Sequence, residues 1–388
     1  MAKVLLKNIG CMVSGKIGEP IYQADTIWVE DGVIKRVGPF EEVEEKEAQV
    51  VIDCTGTTVT PGLIDSHCHP VLGDFTPRQK QIGFLESEVH GGVTTAISAG
   101  EVHLPGRPKD PAGVKALAIL AAKSFASFRP GGIKVEGGGL ILEKGLVEKD
   151  FEEMAREGVR IVGEVGLGSV KTPVDAEPLV KLAKKYGMTV MMHTGGTSIP
   201  GSSTVTAEEV IKTNPDVISH INGGPTAVSM KEAEKLVKRS AMAIEIVHCG
   251  NPKVAVEVAQ MVVAHGVLNR VIIGNDAPSG TGVIPLGILR VINLLAALTP
   301  VTPEEAICAA TGNTARIYGL NRGTLEESKE ADLVIMDAPM GSVGDDALSS
   351  ISAGDIPGIS MVLVDGEIVV SKSRNTPPPV RHASLVKA

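Results

Sequence analysis

Six residues of metal-binding type carry the chemistry that this chain could do. His67 and His69 stand two apart in Pro61-Gly62-Leu63-Ile64-Asp65-Ser66-His67-Cys68-His69-Pro70, directly after a short apolar run (Gly62 to Ile64) that reads as a buried strand. Two residues is the side-chain period of a strand, so both imidazoles project from one face and can hold one ion. Glu164, His193, His220 and Asp276 each follow another short apolar run. Alone, a strand-end histidine is more often a hydrogen-bonded core residue, and an aspartate there a turn former or helix cap. Six together describe a metal centre of imidazole and carboxylate ligands, in which bound water becomes the nucleophile.

Eight apolar segments have to position these residues. They are Leu63 to Asp65, Thr94 to Ser98, Ile133 to Glu136, Arg160 to Gly163, Thr189 to Met192, Val217 to Ser219, Ala243 to Val247 and Arg270 to Gly274. Helical patterns lie between and after them: Pro77 to His90, Pro111 to Phe128, Glu148 to Glu157, Glu177 to Tyr186, Met230 to Arg239, Pro252 to Ala264 and Pro285 to Leu298. Alternation of this kind predicts an α/β protein with a (β/α)8 TIM-like barrel, whose site lies at the C-terminal ends of the strands. Both ends of the chain read instead as short strands: Lys3 to Leu6, Thr26 to Glu30, Val33 to Val37 and Val50 to Asp53, then Ala331 to Met336, Met361 to Val364 and Glu367 to Val370. Asp31-Gly32 and Asp365-Gly366 supply the hairpin turns. The expected organisation is a small β-sandwich built from both termini (1–58 and 321–388) around a hydrolase barrel (59–320).

Composition removes other classes. The 388 residues are 43% hydrophobic but only 3% aromatic, with 44 glycines, which suits an α/β protein with many tight turns. A net charge of -9 without a sustained basic run excludes nucleic acid and anionic membrane surfaces as expected partners. Five scattered cysteines, none in a Cys-x-x-Cys pair, predict free thiols and a cytoplasmic protein. The N-terminal apolar run is too short for a secretory signal, and Arg290 and Asn293 interrupt the most apolar long stretch, so no membrane span is expected.

Taken together, Pro61 to His69, the single histidines His193 and His220, Asp276 in Gly274-Asn275-Asp276, and the tail Gly323-Thr324-Leu325 with Ala331-Asp332-Leu333-Val334 resemble the amidohydrolase superfamily of metal-dependent hydrolases. That resemblance covers nearly the whole chain. It implies two divalent ions, with His67, His69 and Asp276 on one, His193 and His220 on the other, and Glu164 between them. Many members carry a carboxylated lysine where this chain has Glu164, but a glutamate can bridge through its two oxygens. The resemblance further implies that Asp276 moves the proton from attacking water to leaving nitrogen. Within the family, the pattern is similar to the branch that opens the ring amide of 6-oxo-1,4,5,6-tetrahydronicotinate in nicotinate degradation. This implies 2-formylglutarate and ammonia as products, a zinc and iron pair with manganese or cobalt as alternatives, and a homotetramer. Other cyclic amidohydrolases (dihydroorotase or hydantoinase type), deaminases, and a non-catalytic scaffold of the same fold are the competing readings.

Other features are weighed against plainer roles. Gly163-Glu164-Val165-Gly166-Leu167-Gly168 lacks the lysine of a phosphate loop, since Ser169 follows. His90 and His265 precede glycines at helix ends, and His382 lies in a proline-rich tail expected to be mobile. Arg107, Lys109 and Lys171 are candidate partners for a substrate carboxylate, and His248, next to Cys249, for substrate contact. The segments 100–110, 194–204 and 222–228 are long enough to shape a pocket.

Overall fold

The structure is a computed structural model that describes residues 3–70, 81–102, 104, 106–197, 203–224, 226–278, 284 and 286–388. Parts of the three pocket-shaping segments, and Pro77 to Lys80 of the first expected helix, lie outside the described residues.

Eight parallel strands follow the expected order: β1 (Leu63–Cys68), β2 (Val93–Ser98), β3 (Lys134–Glu136), β4 (Ile161–Val165), β5 (Thr189–Met192), β6 (Val217–Ile218), β7 (Ala243–Val247) and β8 (Val271–Gly274). They form two sheets, β3-β2-β1 and β4-β5-β6-β7-β8, linked by single bridges at Leu140 to Val162 and Cys68 to Ala277. Eight helices alternate with them: α1 (Gln81–His90), α2 (Pro111–Ser127), α3 (Glu148–Arg156), α4 (Pro173–Lys185), α5 (Ala207–Thr213), α6 (Met230–Arg239), α7 (Pro252–Ala264) and α8 (Gly287–Leu298). Helix α5 was not expected from the sequence. Its seven residues begin at a capping box, Thr206 with Glu209, which marks the start even of so short a helix.

One apolar cluster joins Ile64, Ile97, Ile161, Met191, Val217, Ala243 and Ile272, one residue from each of seven strands, on the side away from α1 to α8. A larger cluster packs the other strand faces against those helices. The first gives the site a dry floor.

The termini form two further sheets. One has the order Ser384–Lys387, Val50–Asp53, Lys3–Lys7, Thr26–Glu30, Val33–Gly38; the other runs Glu367–Val370, Gly358–Val364, Leu333–Asp337, Thr58–Pro61, Cys11–Val13, Ile21–Tyr22. Alternate residues of both sheets, including Leu6, Ile27, Ile52, Val59, Leu333 and Leu363, share one buried cluster. The C-terminal tail corrects an expectation. Arg381 grips buried Asp337, Met340 N donates to Pro378 O, and Ser384–Lys387 adds an edge strand beside Val50–Asp53, so the segment around His382 is fastened down. Where this β unit meets the start of β3, the buried Lys134 Nζ donates to Glu330 (2.6 Å), Asp332 (2.8 and 2.9 Å) and Asp365 (2.6 Å). Its ammonium fills the space that these three acidic groups surround, so the cluster is an ion-pair junction.

Candidate metal centre

All six expected ligand residues meet at the C-terminal ends of the strands. Their positions separate into two triads, His67 with His69 and Asp276, and Glu164 with His193 and His220. In each triad the ligating atoms lie within 4.8 Å of one another. Glu164 stands between them: Oε1 is 2.5 Å from His220 Nε2 and 3.4 Å from His193 Nδ1, while Oε2 is 3.6 Å from His67 Nε2 and 3.7 Å from His69 Nε2. Asp276 Oδ1 lies 3.6 Å from His67 Nε2 and 3.4 Å from His69 Nε2.

Period-two geometry alone does not place them. His193 is two residues from the floor residue Met191, and Asp276 is four from Ile272, so they fall on the same face as the floor. His67, Glu164 and His220 are each three residues from a floor residue (Ile64, Ile161 and Val217), which in a regular strand would turn them outward. The pairing of β1 with β2 shifts register between Asp65 and Cys68, and that of β4 with β5 between Val162 and Val165. Such irregularities re-aim a side chain. At His220 a left-handed backbone (φ 33°) makes the turn, and Asp276 also has φ 59°. Each costs about 1–2 kcal/mol in a non-glycine residue. Two glycines make room: a Cβ on Gly274 would lie 2.7 Å from His67 Cβ, and one on Gly163 only 2.4 Å from Ala99 O.

Glu245 is the functional residue that sequence reasoning missed. It is fully buried in the middle of β7, where Oε1 accepts from Ser66 Oγ (2.6 Å) and Oε2 from His220 N (3.1 Å) and His67 Nδ1 (2.7 Å). A carboxylate flanked by Ala243, Ile244, Ile246 and Val247 was the signal that could have found it.

Hydrogen-bond partners fix which nitrogens face inward. Glu245 takes the proton of His67 Nδ1, Gly100 O that of His69 Nδ1 (3.0 Å), and Gly196 O that of His193 Nε2 (3.0 Å), because oxygens of these kinds only accept. In the neutral rings the opposite nitrogens then direct lone pairs at Glu164, Asp276 and one another. His67 Nε2 is buried without a hydrogen-bond partner. Lone pairs and carboxylates converging in a dry site repel unless positive charge lies between them, so the donor set fits divalent cations. Burial works against a charged His67, but Glu245 and Glu164 outweigh it and lift its pKa well above the usual range. Burial likewise opposes ionisation of Glu164, yet His220 and His67 hold it well below the ordinary carboxylate range. Behind the centre, burial pushes Asp65 up to about 7, while its Oδ1 accepts from His67 N and Asn275 N and ties β1 to β8.

The remaining candidates stand outside the cluster. Arg107 Nη1 lies 3.0 Å from the buried Glu143, and so already has a carboxylate. Lys171 is half-buried and Lys109 exposed. His248 N donates to Gly274 O past the end of β7, and its ring lines a separate cavity. His90 ends α1 and His265 caps α7, as expected. None of the five cysteines is joined in a disulfide among the described residues. No helix among the described residues is long and apolar enough to cross a membrane.

Comparison with known proteins agrees with this arrangement. The pattern of the amidohydrolase family matches residues 58–369. Enamidase of Eubacterium barkeri is 59% identical over 386 residues, spanning 100% of both chains. The 1.9 Å crystal structure of enamidase superposes with a TM-score of 0.96 over 99% of this chain and 100% of that one. Imidazolonepropionase of Geobacillus kaustophilus (strain HTA426) is 24% identical over 385 residues, 82% of this chain and 85% of its own.

Proposed function

The chain belongs to the amidohydrolase family, and from that premise we propose that it is a metal-dependent hydrolase that opens a cyclic enamide, 6-oxo-1,4,5,6-tetrahydronicotinate, at its ring C–N bond. The full-length 59% identity to enamidase carries the substrate class. The six converging ligand residues carry the chemistry.

Divalent ions in the two triads would supply an ionised water and polarise the ring carbonyl. His67, His69 and Asp276 would hold one ion, His193 and His220 the other, and Glu164 would offer an oxygen to each. Nitrogen and carboxylate donors suit zinc and iron, with manganese or cobalt as alternatives. Asp276 is the proton carrier in this reading. Its side chain is 20% exposed, against 0% to 6% for the other five, so it alone of the six reaches appreciably toward incoming substrate. Burial disfavours its charge, but His69, His67 and His220 keep its pKa below the usual value, so at neutral pH it is ready to accept a proton. Glu245 locks the tautomer of His67 and anchors the backbone of His220.

Attack of water on the ring carbonyl carbon, cleavage of the C–N bond and proton delivery to nitrogen by Asp276 give an enamine. Tautomerisation to the imine and addition of a second water give 2-formylglutarate and ammonia. The reading also takes the two parallel sheets as one closed (β/α)8 barrel over 59–320, the β-sandwich as 1–58 with 321–388, and the enzyme as a cytoplasmic homotetramer acting on a small carboxylate-bearing amide. The likeness to imidazolonepropionase supports a second reading, another cyclic amidohydrolase of the same superfamily. The test is kcat/KM for 6-oxo-1,4,5,6-tetrahydronicotinate beside dihydroorotate, hydantoin and 4-imidazolone-5-propionate. A preference of at least about 100-fold for the first supports the assignment, and a higher value for any other replaces it.

A further inference from the structure

Beside the metal centre, and lined by none of its six ligand residues, lies a cavity of about 460 Å³. It is bounded by the end of β7 (Val247 and His248), Asn222, one face of α8, and Ile356. Val291 and Leu294 of α8 and Ile356 make much of its wall apolar, and no carboxylate lines it. Two groups of basic type do: Arg290, in the first turn of α8, and His248. Among the described residues neither side chain forms an ion pair or a hydrogen bond, although most lysines and arginines of this acidic chain are paired. The amides Asn222 and Asn293 are already committed to backbone carbonyls.

We propose that this cavity is a second binding site, for a small organic carboxylate whose apolar body packs on α8 and Ile356 and whose charge meets Arg290 and His248. An anion approaching a chain of net charge -9 needs a local cation, and Arg290 supplies one without a competing carboxylate. Its volume suits a ring-sized body. Burial, and then the nearby charge of Arg290, hold the His248 imidazole below its ordinary range, so Arg290 bears the charge and His248 offers an N–H.

An occupant would be felt at the metal centre. Asn222, two residues after His220, bridges Val247 and Asn251, and Cys249 N donates to Asn275 O beside Asp276. The proposal does not depend on which amide the enzyme hydrolyses, because binding is read without turnover.

The experiment is isothermal titration of the metal-loaded enzyme with benzoate, and with benzamide as its uncharged counterpart, for wild type, Arg290→Leu and His248→Gln. Arg290 is exposed, so the leucine variant is expected to fold; a circular dichroism spectrum and thermal midpoint check this. The expected result is benzoate binding with Kd on the order of 1 mM or tighter, at least about tenfold weaker binding of benzamide, and at least about tenfold loss in Arg290→Leu. Carboxylate captured by the metal ions themselves would persist in both variants. Benzoate binding unchanged in Arg290→Leu and His248→Gln, or absent from wild type at about 10 mM, overturns the proposal.

Discussion

Removing the charge of Glu245 while keeping its shape separates the role of this buried carboxylate from packing. In Glu245→Gln one amide oxygen can still accept from His67 Nδ1 and His220 N, and the amide nitrogen can donate to Ser66 Oγ, so the three contacts of 2.7, 3.1 and 2.6 Å survive in outline. What disappears is the charge assistance. A hydrogen bond to a charged group contributes about 1.5–3 kcal/mol against about 0.5–1.5 for a neutral one, so His67 loses about 1–2 kcal/mol of support as a ligand. Outer-sphere partners of this kind typically change metal affinity by about 10- to 100-fold. Glu245→Ala goes further, leaving two buried N–H groups without an acceptor at about 1–3 kcal/mol each. The assay is metal content by plasma mass spectrometry after dialysis against graded chelator, with the thermal midpoint recorded in parallel. The glutamine variant should fold and surrender metal at about 10- to 100-fold lower chelator activity. Wild-type chelator resistance in Glu245→Gln would refute the argument that Glu245 tunes the centre.

Asp276→Asn should lower kcat by about 10²- to 10⁴-fold through loss of proton transfer while at least the Glu164, His193 and His220 ion stays bound; a near-wild-type rate would remove its role. Glu164→Ala should lose at least one ion per chain, seen as metal stoichiometry, and two retained ions would remove the bridge. Lys134→Met strands the carboxylates of Asp332, Glu330 and Asp365, and should destabilise the fold by about 3–5 kcal/mol, read as a lower unfolding midpoint. At the same junction, burial opposes charge on Glu330, but the bonds from Arg322 and Lys134 win and depress its folded pKa. Its contribution is therefore present above its unfolded value, about 4.3, and lost as pH falls through the folded one. The stability gap between wild type and Glu330→Gln should be widest above about pH 5 and close toward about pH 3; a constant gap would contradict the assignment.

Strand order and the six candidate residues that converge at the strand ends were legible because each of them follows its own apolar run. Helix α5 was not, because seven residues carry too little periodicity and only Thr206 and Glu209 announce it. The aim of His67, Glu164 and His220 was hidden for a different reason. Each sits an odd number of residues from the floor, and the register shifts and the left-handed backbone that turn them inward arise from pairing between strands distant in sequence. Glu245 was legible in principle, as a charge inside an apolar strand, but its partners Ser66 and His67 are more than 170 residues away. The tail misled because its prolines suggest a loose end, whereas Arg381 and the strand Ser384–Lys387 fasten it through long-range contacts.

If a metal centre built on these six residues opens a ring enamide, ammonia release must depend on bound metal. Ammonia release from 6-oxo-1,4,5,6-tetrahydronicotinate, compared among protein as purified, chelator-stripped protein and protein restored with zinc and iron, tests it most directly. Release that vanishes on stripping and returns on restoration is the expected result. Release that survives complete removal of metal, or none in any sample whose metal content is verified, would contradict the account.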